Sequence, residues 1–503
     1  MKINLPIQPK LVLLTLCAQF SGHAYAAEKA VPQRPNLIIV MADQWRGTTL
    51  GFRGVEPVKT PNIDRLAKEG VYFSNAVSNY PVCSPARAML MTGMYPTKTN
   101  VRANCNTQSG PFECELPEKQ TCWSDILAQN GYALGYIGKW HLDTPYKPYV
   151  PTSNNTAKEA WNEWTAPDKR HGFSHWIAYG TYDVHMKPMY WTTNAPRDSF
   201  QFVNQWGPEF EVDNAMQYIK NVNGRLRDAK KPFALVVSMN PPHTAYSSVP
   251  DKYKALYKDM NVEDLCIFPD IPARGTTFGD YYRANIKDYY ACMSGVDEQI
   301  GRLMSALKEQ GLDQNTIVVF MSDHGDCVGM HQEISKNNYY EESMRIPLII
   351  RYPKKLKPKT SDIYLSVPDI TATLLDWTGG LKQVGRDFDG VSYRKLIETG
   401  KGKKPTSQLY FKMCYYPDEA KDEAVRQLKV PQQEFRGIRT EDYKFAIRFE
   451  KREIKEYVLF DRKNDPYELH NIADNEPKLV EKYKKELIKQ LTPIHDWIIP
   501  YIK

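Results

Sequence analysis

The chain has 503 residues, a formal net charge of +7, 25% charged residues and 12% aromatic residues. That length suits one large α/β domain with a smaller one beside it, and that composition excludes a disordered chain. The positive excess is modest and lacks the dense Lys/Arg blocks of a nucleic-acid binder, so no nucleic-acid partner is expected.

The first segment carries the marks of an export leader. Lys2 and Lys10 supply positive charge, Leu11 to Cys17 a largely apolar run, and Ala24-Tyr25-Ala26 a small-x-small cleavage site. The apolar run is too short to span a bilayer and no later span is visible. A signal peptide over residues 1–26 and an exported product with no transmembrane anchor are therefore expected, periplasmic first, secreted or surface-associated next. Leu16 precedes Cys17 where a bacterial lipidation signal places a small residue, which favours cleavage near Ala26. Of the nine cysteines, Cys105, Cys114 and Cys122 lie close enough for one disulfide, and buried free thiols fit them as well.

Asn36 to Met41 (NLIIVM) is a nearly continuous apolar run, as in a strand buried on both faces of a parallel sheet. Thr60-Pro61 opens a helix that Gly70 closes. Val71 to Val77 reads as a strand, Trp123 to Asn130 as a helix, and Tyr132 to Ile137 as a strand. Phe233 to Met239 and Thr316 to Met321 are further buried strands, with a helix from Arg283 to Gln310 between them. This alternation indicates a large doubly wound, mostly parallel sheet flanked by helices, over residues 34–385. After about Gly380 the pattern changes. Leu409 to Tyr415, Phe435 to Thr440, Tyr443 to Phe449 and Tyr457 to Asp461 read as short strands, and Pro477 to Gln490 as a closing helix. Residues 386–503 are expected to form a smaller α+β domain with an antiparallel sheet.

Ligands of open α/β sheets sit beyond the carboxyl ends of the strands. The chemically loaded residues fall there: Asp43 after the first strand, Lys139 and His141 after YALGYI, His243 after FALVVSM, and Asp323 with His324 after TIVVFM. Chance would scatter them, so one site is expected.

The strongest local signal is Cys83-Ser84-Pro85-Ala86-Arg87. By spacing alone this cysteine is a thiolate nucleophile, a metal ligand or a core thiol. The whole pattern resembles the C-x-P-x-R signature of type I sulfatases of the alkaline phosphatase superfamily, in particular bacterial exported carbohydrate sulfatases. The likeness runs from NLIIVMADQ to LFDRKNDPYELHNI. It implies that a maturation enzyme oxidises Cys83 to formylglycine, whose hydrate attacks sulfur with one hydroxyl. Loss of the second hydroxyl's proton then re-forms the aldehyde and expels sulfate. It implies further that Arg87 steadies the diol and oxyanion, that Lys139 and Lys336 clamp the sulfate oxygens, that His141 takes the proton during release, and that His243 protonates the departing alcohol.

The same resemblance makes Asp43, Gln44, Asp323 and His324, with residue 83, ligands of one divalent cation. Oxygen donors suit calcium. Many relatives carry Asp where Gln44 stands and Asn where His324 stands, and the imidazole is a softer ligand, which brings in manganese or magnesium. Asp183, His185 and Glu333 have polar tips suited to sugar hydroxyls; surface-loop polarity accounts for them equally well. The implied activity is removal of sulfate from a sulfated glycan, on a terminal hexose or N-acetylhexosamine. The alternatives are a phosphonate or phosphodiester hydrolase of the same superfamily, a broad arylsulfatase, and a non-catalytic glycan-binding protein.

Overall fold

A computed structural model describes residue 1 and residues 34–420, 423–426 and 431–502. Apart from residue 1, the expected leader falls outside these residues. The chain forms strands β1 (Asn36–Ala42), β2 (Val71–Val77), β3 (Ala133–Lys139), β4 (His175–Tyr179), β5 (Met189–Thr192), β6 (Gln201–Phe202), β7 (Phe233–Met239), β8 (Thr316–Ser322), β9 (Leu348–Arg351) and β10 (Lys359–Ser366). They make one ten-stranded sheet in the order β10-β2-β9-β8-β1-β7-β3-β4-β5-β6. The centre, from β8 to β4, is parallel; β9 runs antiparallel between β8 and β2, and β5 and β6 close the far edge antiparallel.

Strands β1, β7 and β8 are buried at every residue, which is why their sequences are continuous apolar runs and do not alternate. Leu37, Ile39 and Met41 face one core, while Ile38, Val40 and Ala42 face the other. The helix Thr277–Glu309 packs in the second of these cores through Tyr282, Ile286, Tyr289, Met293, Val296 and Ile300. It begins ahead of the expected Arg283, because Thr276 caps it by accepting from the Gly279 N–H. Two further helices, Gly207–Lys220 and Val367–Thr378, were not anticipated.

A second sheet, in the order β11-β12-β13-β14, is formed by β11 (Ser407–Lys412), β12 (Gln433–Thr440), β13 (Tyr443–Glu450) and β14 (Glu453–Asp461), all antiparallel. Its first strand starts before the expected Leu409 and ends before Tyr415; its last extends back to Glu453, so Tyr457 to Asp461 is only its second half. The closing helix, Pro477–Leu491, lays Tyr483, Leu487 and Leu491 with Ile438, Phe445 and Leu459 of this sheet. On the sheet's other face, Phe435, Ala446, Val458 and Phe460 pack with Met344, Tyr339 and Tyr340. Those last residues follow the loops after β8, so the small sheet supports one side of the region beyond the large sheet's strand ends.

Candidate active site

The parallel strands deliver their carboxyl ends to one edge, and the expected residues arrive there together. Asp43 follows β1, Lys139 ends β3, Asn240 follows β7, and Asp323 and His324 follow β8. Cys83 comes from β2 by a short loop and opens the helix Cys83–Thr92. Val82 at the N-cap position makes no side-chain cap, and the positive end of the helix lies at Cys83. Ser84 fixes the loop. Its N–H donates to the Asn104 side chain (3.1 Å), and its hydroxyl donates to the His141 carbonyl (2.7 Å).

The Cys83 Sγ lies 3.2 Å from His324 Nε2, 3.8 Å from Asp43 Oδ1 and 3.9 Å from Lys139 Nζ. All of these groups are buried. Burial opposes ionisation of the thiol, but Lys139, Lys336 and His324 outweigh it and hold Cys83 well below its ordinary range. Arg87, one turn along, donates to Asp323 Oδ2 (3.1 Å), Asp43 Oδ2 (3.1 Å), the Lys139 carbonyl (2.7 Å) and Ser238 Oγ (2.8 Å). Its guanidinium is thus fully engaged in binding the strand ends to one another. Lys139 Nζ sits 2.6 Å from Asp43 Oδ2 and donates to Asn240 Oδ1 (3.1 Å).

Asp43, Cys83, Asp323 and His324 each offer a ligand atom, and these atoms lie within 4.8 Å of one another. Two carboxylates, an imidazole nitrogen and residue 83 make a donor set that fits a divalent cation. The two carboxylates are a like-charged buried pair. Burial opposes charge on both, yet Lys139, His243 and His324 hold Asp43 low, whereas the Asp43 charge helps keep Asp323 up. Gln44 adopts left-handed backbone (φ 70°), at a cost of about 1–2 kcal/mol. Its N–H donates to Asp323 Oδ1 (3.2 Å), its amide nitrogen donates to Asp326 Oδ2 (2.6 Å), and its amide oxygen accepts from Lys336. Lys336 is thereby tied to the edge of the same centre.

His141 is also left-handed (φ 54°) and buried, and neither ring nitrogen has a hydrogen-bond partner among the described residues. Burial holds its imidazole below the usual range. His243 is partly exposed, with Nδ1 2.9 Å from the Thr244 carbonyl and 3.4 Å from Asp183 Oδ1, which leaves Nε2 for other work. Asp183 and His185 gather beside it: Asn240 Nδ2 donates to Asp183 Oδ1 (3.0 Å) and contacts His185 Nε2 (3.3 Å). Burial raises Asp183, but His243, Lys139 and His185 bring it down to about 2; burial takes His185 down to about 4.

Glu333 is not brought to this cluster. It lines a separate cavity that shares Lys336 with the site. Three participants escaped sequence reasoning as individuals: Asn240, Asp326 and Tyr246. Asn240 and Asp326 lie within the strand-end segments already singled out, so position was the available signal. Tyr246, which donates to Asp326, carried none.

An α/β sheet with an acidic, cationic and nucleophilic cluster across its strand ends defines a hydrolase-type centre for an anionic ester. Residues 35–381 match the family model described as "Sulfatase", and residues 329–496 match "N-sulphoglucosamine sulphohydrolase, C-terminal". The chain belongs to the sulfatase family of the alkaline phosphatase superfamily and is an enzyme that hydrolyses sulfate esters. It is 35% identical over 504 residues to an endo-4-O-sulfatase of Bacteroides thetaiotaomicron, covering 95% of this chain and 96% of that one. An N-acetylglucosamine-6-O-sulfatase of the same organism is 27% identical, covering 96% of this chain and 90% of that one. The solved yidJ structure of Bacteroides fragilis, described as a sulfatase, is 51% identical with a TM-score of 0.87, covering 93% of this chain and 98% of that one.

Proposed function

We propose that the enzyme removes sulfate from a sulfated glycan after oxidation of Cys83 to formylglycine by a maturation enzyme. The observation that carries this reading is the convergence of Cys83 with Asp43, Asp323, His324 and Lys139 in one buried cluster. The names of the relatives, which specify sulfated sugars, support the substrate class. The Sγ stands where one oxygen of the hydrated aldehyde would be, both oxygens being carried by Cβ; those oxygens supply the attacking hydroxyl and, on losing the second proton, the expulsion of sulfate.

Around that residue the chain's own groups divide the work. Lys139 and Lys336 bind the sulfate oxygens as point cations. Arg87, locked by both aspartates, holds residue 83 and the strand ends in register. His141, with both ring nitrogens unpartnered, accepts the proton released as sulfate leaves residue 83. His243, oriented through Nδ1, gives a proton from Nε2 to the departing sugar oxygen. Asp183 and His185 orient His243 and the sugar. Asp43, Asp323, His324 and residue 83 would hold a divalent cation, with the Gln44 oxygen as a further donor. Calcium is the first choice, with manganese or magnesium as alternatives, and the ion would neutralise charge on the sulfate.

We further read residues 1–26 as an export leader, 34–385 as the catalytic domain and 386–503 as the smaller domain, with a periplasmic product. Among the described residues no helix is long and apolar enough to cross a membrane.

The test is the mass of the peptide containing residue 83, together with turnover of sulfated oligosaccharides alongside phosphodiesters and phosphonate esters. An aldehyde with preferential sulfate-ester turnover is expected. An unmodified thiol would refute the nucleophile, and faster phosphonate turnover would favour the superfamily alternative.

A further inference from the structure

The cavity beside Glu333 shares Lys336 alone with the chemistry above. Its volume is about 410 Å³, within the ~300–1,000 Å³ of sites that take small molecules. It lies between the loop after β8 and the small sheet, with Glu333, Lys336, Tyr339, Lys412 and Arg448 in its lining. Strand register sets Lys412 opposite Phe435 and Phe435 opposite Arg448. The three therefore share the face against which Tyr339 and Tyr340 pack.

Lys412 is the informative residue. It is half-buried at the end of β11 and makes no ion pair with any described residue. Burial pushes its ammonium below the ordinary lysine value, with Glu333 opposing that shift; burial likewise pushes Glu333 up. Of the other charges in the lining, Glu434 pairs with Arg436 at 2.9 Å, Lys455 with Glu453 at 3.0 Å, and Arg448 with Glu456, whereas Glu450 has no ion pair with any described residue. Lys412 thus feels the field of Glu333 but has no direct ion pair, and a half-buried cation so placed can recognise an anion. The cavity shares its wall with the catalytic centre. Lys336 reaches Gln44, and the Asn337 N–H donates to the Pro81 carbonyl (3.1 Å), two residues before Cys83.

Resting on the carbohydrate-sulfatase reading, we propose that this cavity holds the sugar adjoining the one that loses its sulfate. Lys412 pairs with an anionic substituent on that sugar, and Glu333 accepts a hydrogen bond from one of its hydroxyls. The substrate is then a polyanionic glycan segment, and the charge read by Lys412 is a uronate carboxylate or a second sulfate ester.

The experiment compares matured full-length enzyme with Lys412→Met and Lys412→Arg. Three disaccharides share the scissile sulfate and differ in the neighbouring sugar, which is a uronate, a second sulfated sugar or a neutral sugar. Lys412→Met is expected to lower the ratio of kcat/KM for charged over neutral neighbours about 10–100-fold, as for loss of a charge-assisted hydrogen bond, mainly through KM. Lys412→Arg should recover most of the ratio. Whichever charged neighbour shows the larger fall is the group that Lys412 reads. An unchanged ratio, or equal losses on all three disaccharides, would overturn the subsite. Calorimetric binding of the same disaccharides to Cys83→Ala, with and without Lys412→Met, tests the subsite independently of turnover. Lys412-dependent binding without sulfate-ester turnover in the parent enzyme would keep the subsite and sink the glycan-sulfatase reading. Turnover without Lys412-dependent binding would do the reverse.

Discussion

His141 and His243 enter the site with unequal freedom, and that difference is the basis of the separate roles proposed for them. His141 is buried with both nitrogens unpartnered; His243 is partly exposed and oriented through Nδ1 by the Thr244 carbonyl and Asp183. Replacing His243 with Ala should cost about 10²–10⁴-fold on an alkyl sugar sulfate. The cost should be far smaller on nitrophenyl sulfate, whose leaving group needs little protonation. His141→Ala should instead trap sulfate on residue 83, visible as added mass on that peptide. Equal losses on both substrates for His243→Ala, with the trapped species in that variant, would reverse the assignment. Both histidines were legible in the sequence because each follows an apolar strand run. Asp183 was legible only as a polar tip for sugar hydroxyls, and its contact with His243 was not, since Asn240 and Asp183 become neighbours only when β7 and β4 take their places in the sheet. Glu333 resembled them in chemistry, and only the fold separates it from them.

Among the elements, the segment from Met330 to Arg345 links the active site to the small sheet, and ionic contacts pin it at both ends. His331 Nε2 lies 3.0 Å from Asp270 Oδ2 and 3.0 Å from Glu342 Oε2, with its ring stacked on Tyr340 at 3.8 Å. Glu341 lies 2.8 Å from both Arg439 and Lys444 of the small sheet. Burial opposes charge on His331, but the two carboxylates overcome it and push the imidazole up to about 10 from 6.5. A raised value means that the stabilisation is fully present below about pH 6.5 and is lost as pH rises towards 10. The wild-type melting temperature should therefore fall more steeply between pH 7 and 10 than that of His331→Gln. The variant should start lower and converge with the wild type near pH 10; parallel slopes would show that the triad contributes no linked stability. Glu333 and Lys336 of this segment were singled out beforehand, but its folding was not readable. Its elements are single turns, Met330–Gln332 and Glu341–Met344, too short to carry periodicity. The long runs NLIIVM, FALVVSM and TIVVFM were readable because burial on both faces removes any polar alternation. The Gly207–Lys220 helix was not, because Gly, Pro, acidic and polar residues obscure its apolar stripe.

Across the whole molecule, β1 and β8 are adjacent central strands, and their ends place two buried aspartates together beside the helix that begins at Cys83. Arg87 and Lys139 offset that repulsion from one side. A divalent cation among Asp43, Asp323, His324 and residue 83 would offset it directly and would join β1, β8 and the Cys83 helix. An ion that binds only the folded form stabilises it by about 2.7 kcal/mol at a hundredfold excess over Kd, a shift on the order of a few degrees in melting temperature. Chelator-treated enzyme should melt lower than metal-loaded enzyme, and calcium should restore the difference at a lower concentration than magnesium does. Asp323→Asn should remove the metal-dependent part of the shift while keeping a cooperative melt, which separates loss of the ion from loss of the fold. Restoration by manganese and not by calcium would mean that the His324 imidazole, and not the carboxylate oxygens, sets the preference. Identical melting temperatures with and without metal, in protein confirmed metal-free by elemental analysis, would remove the cation from this cluster altogether.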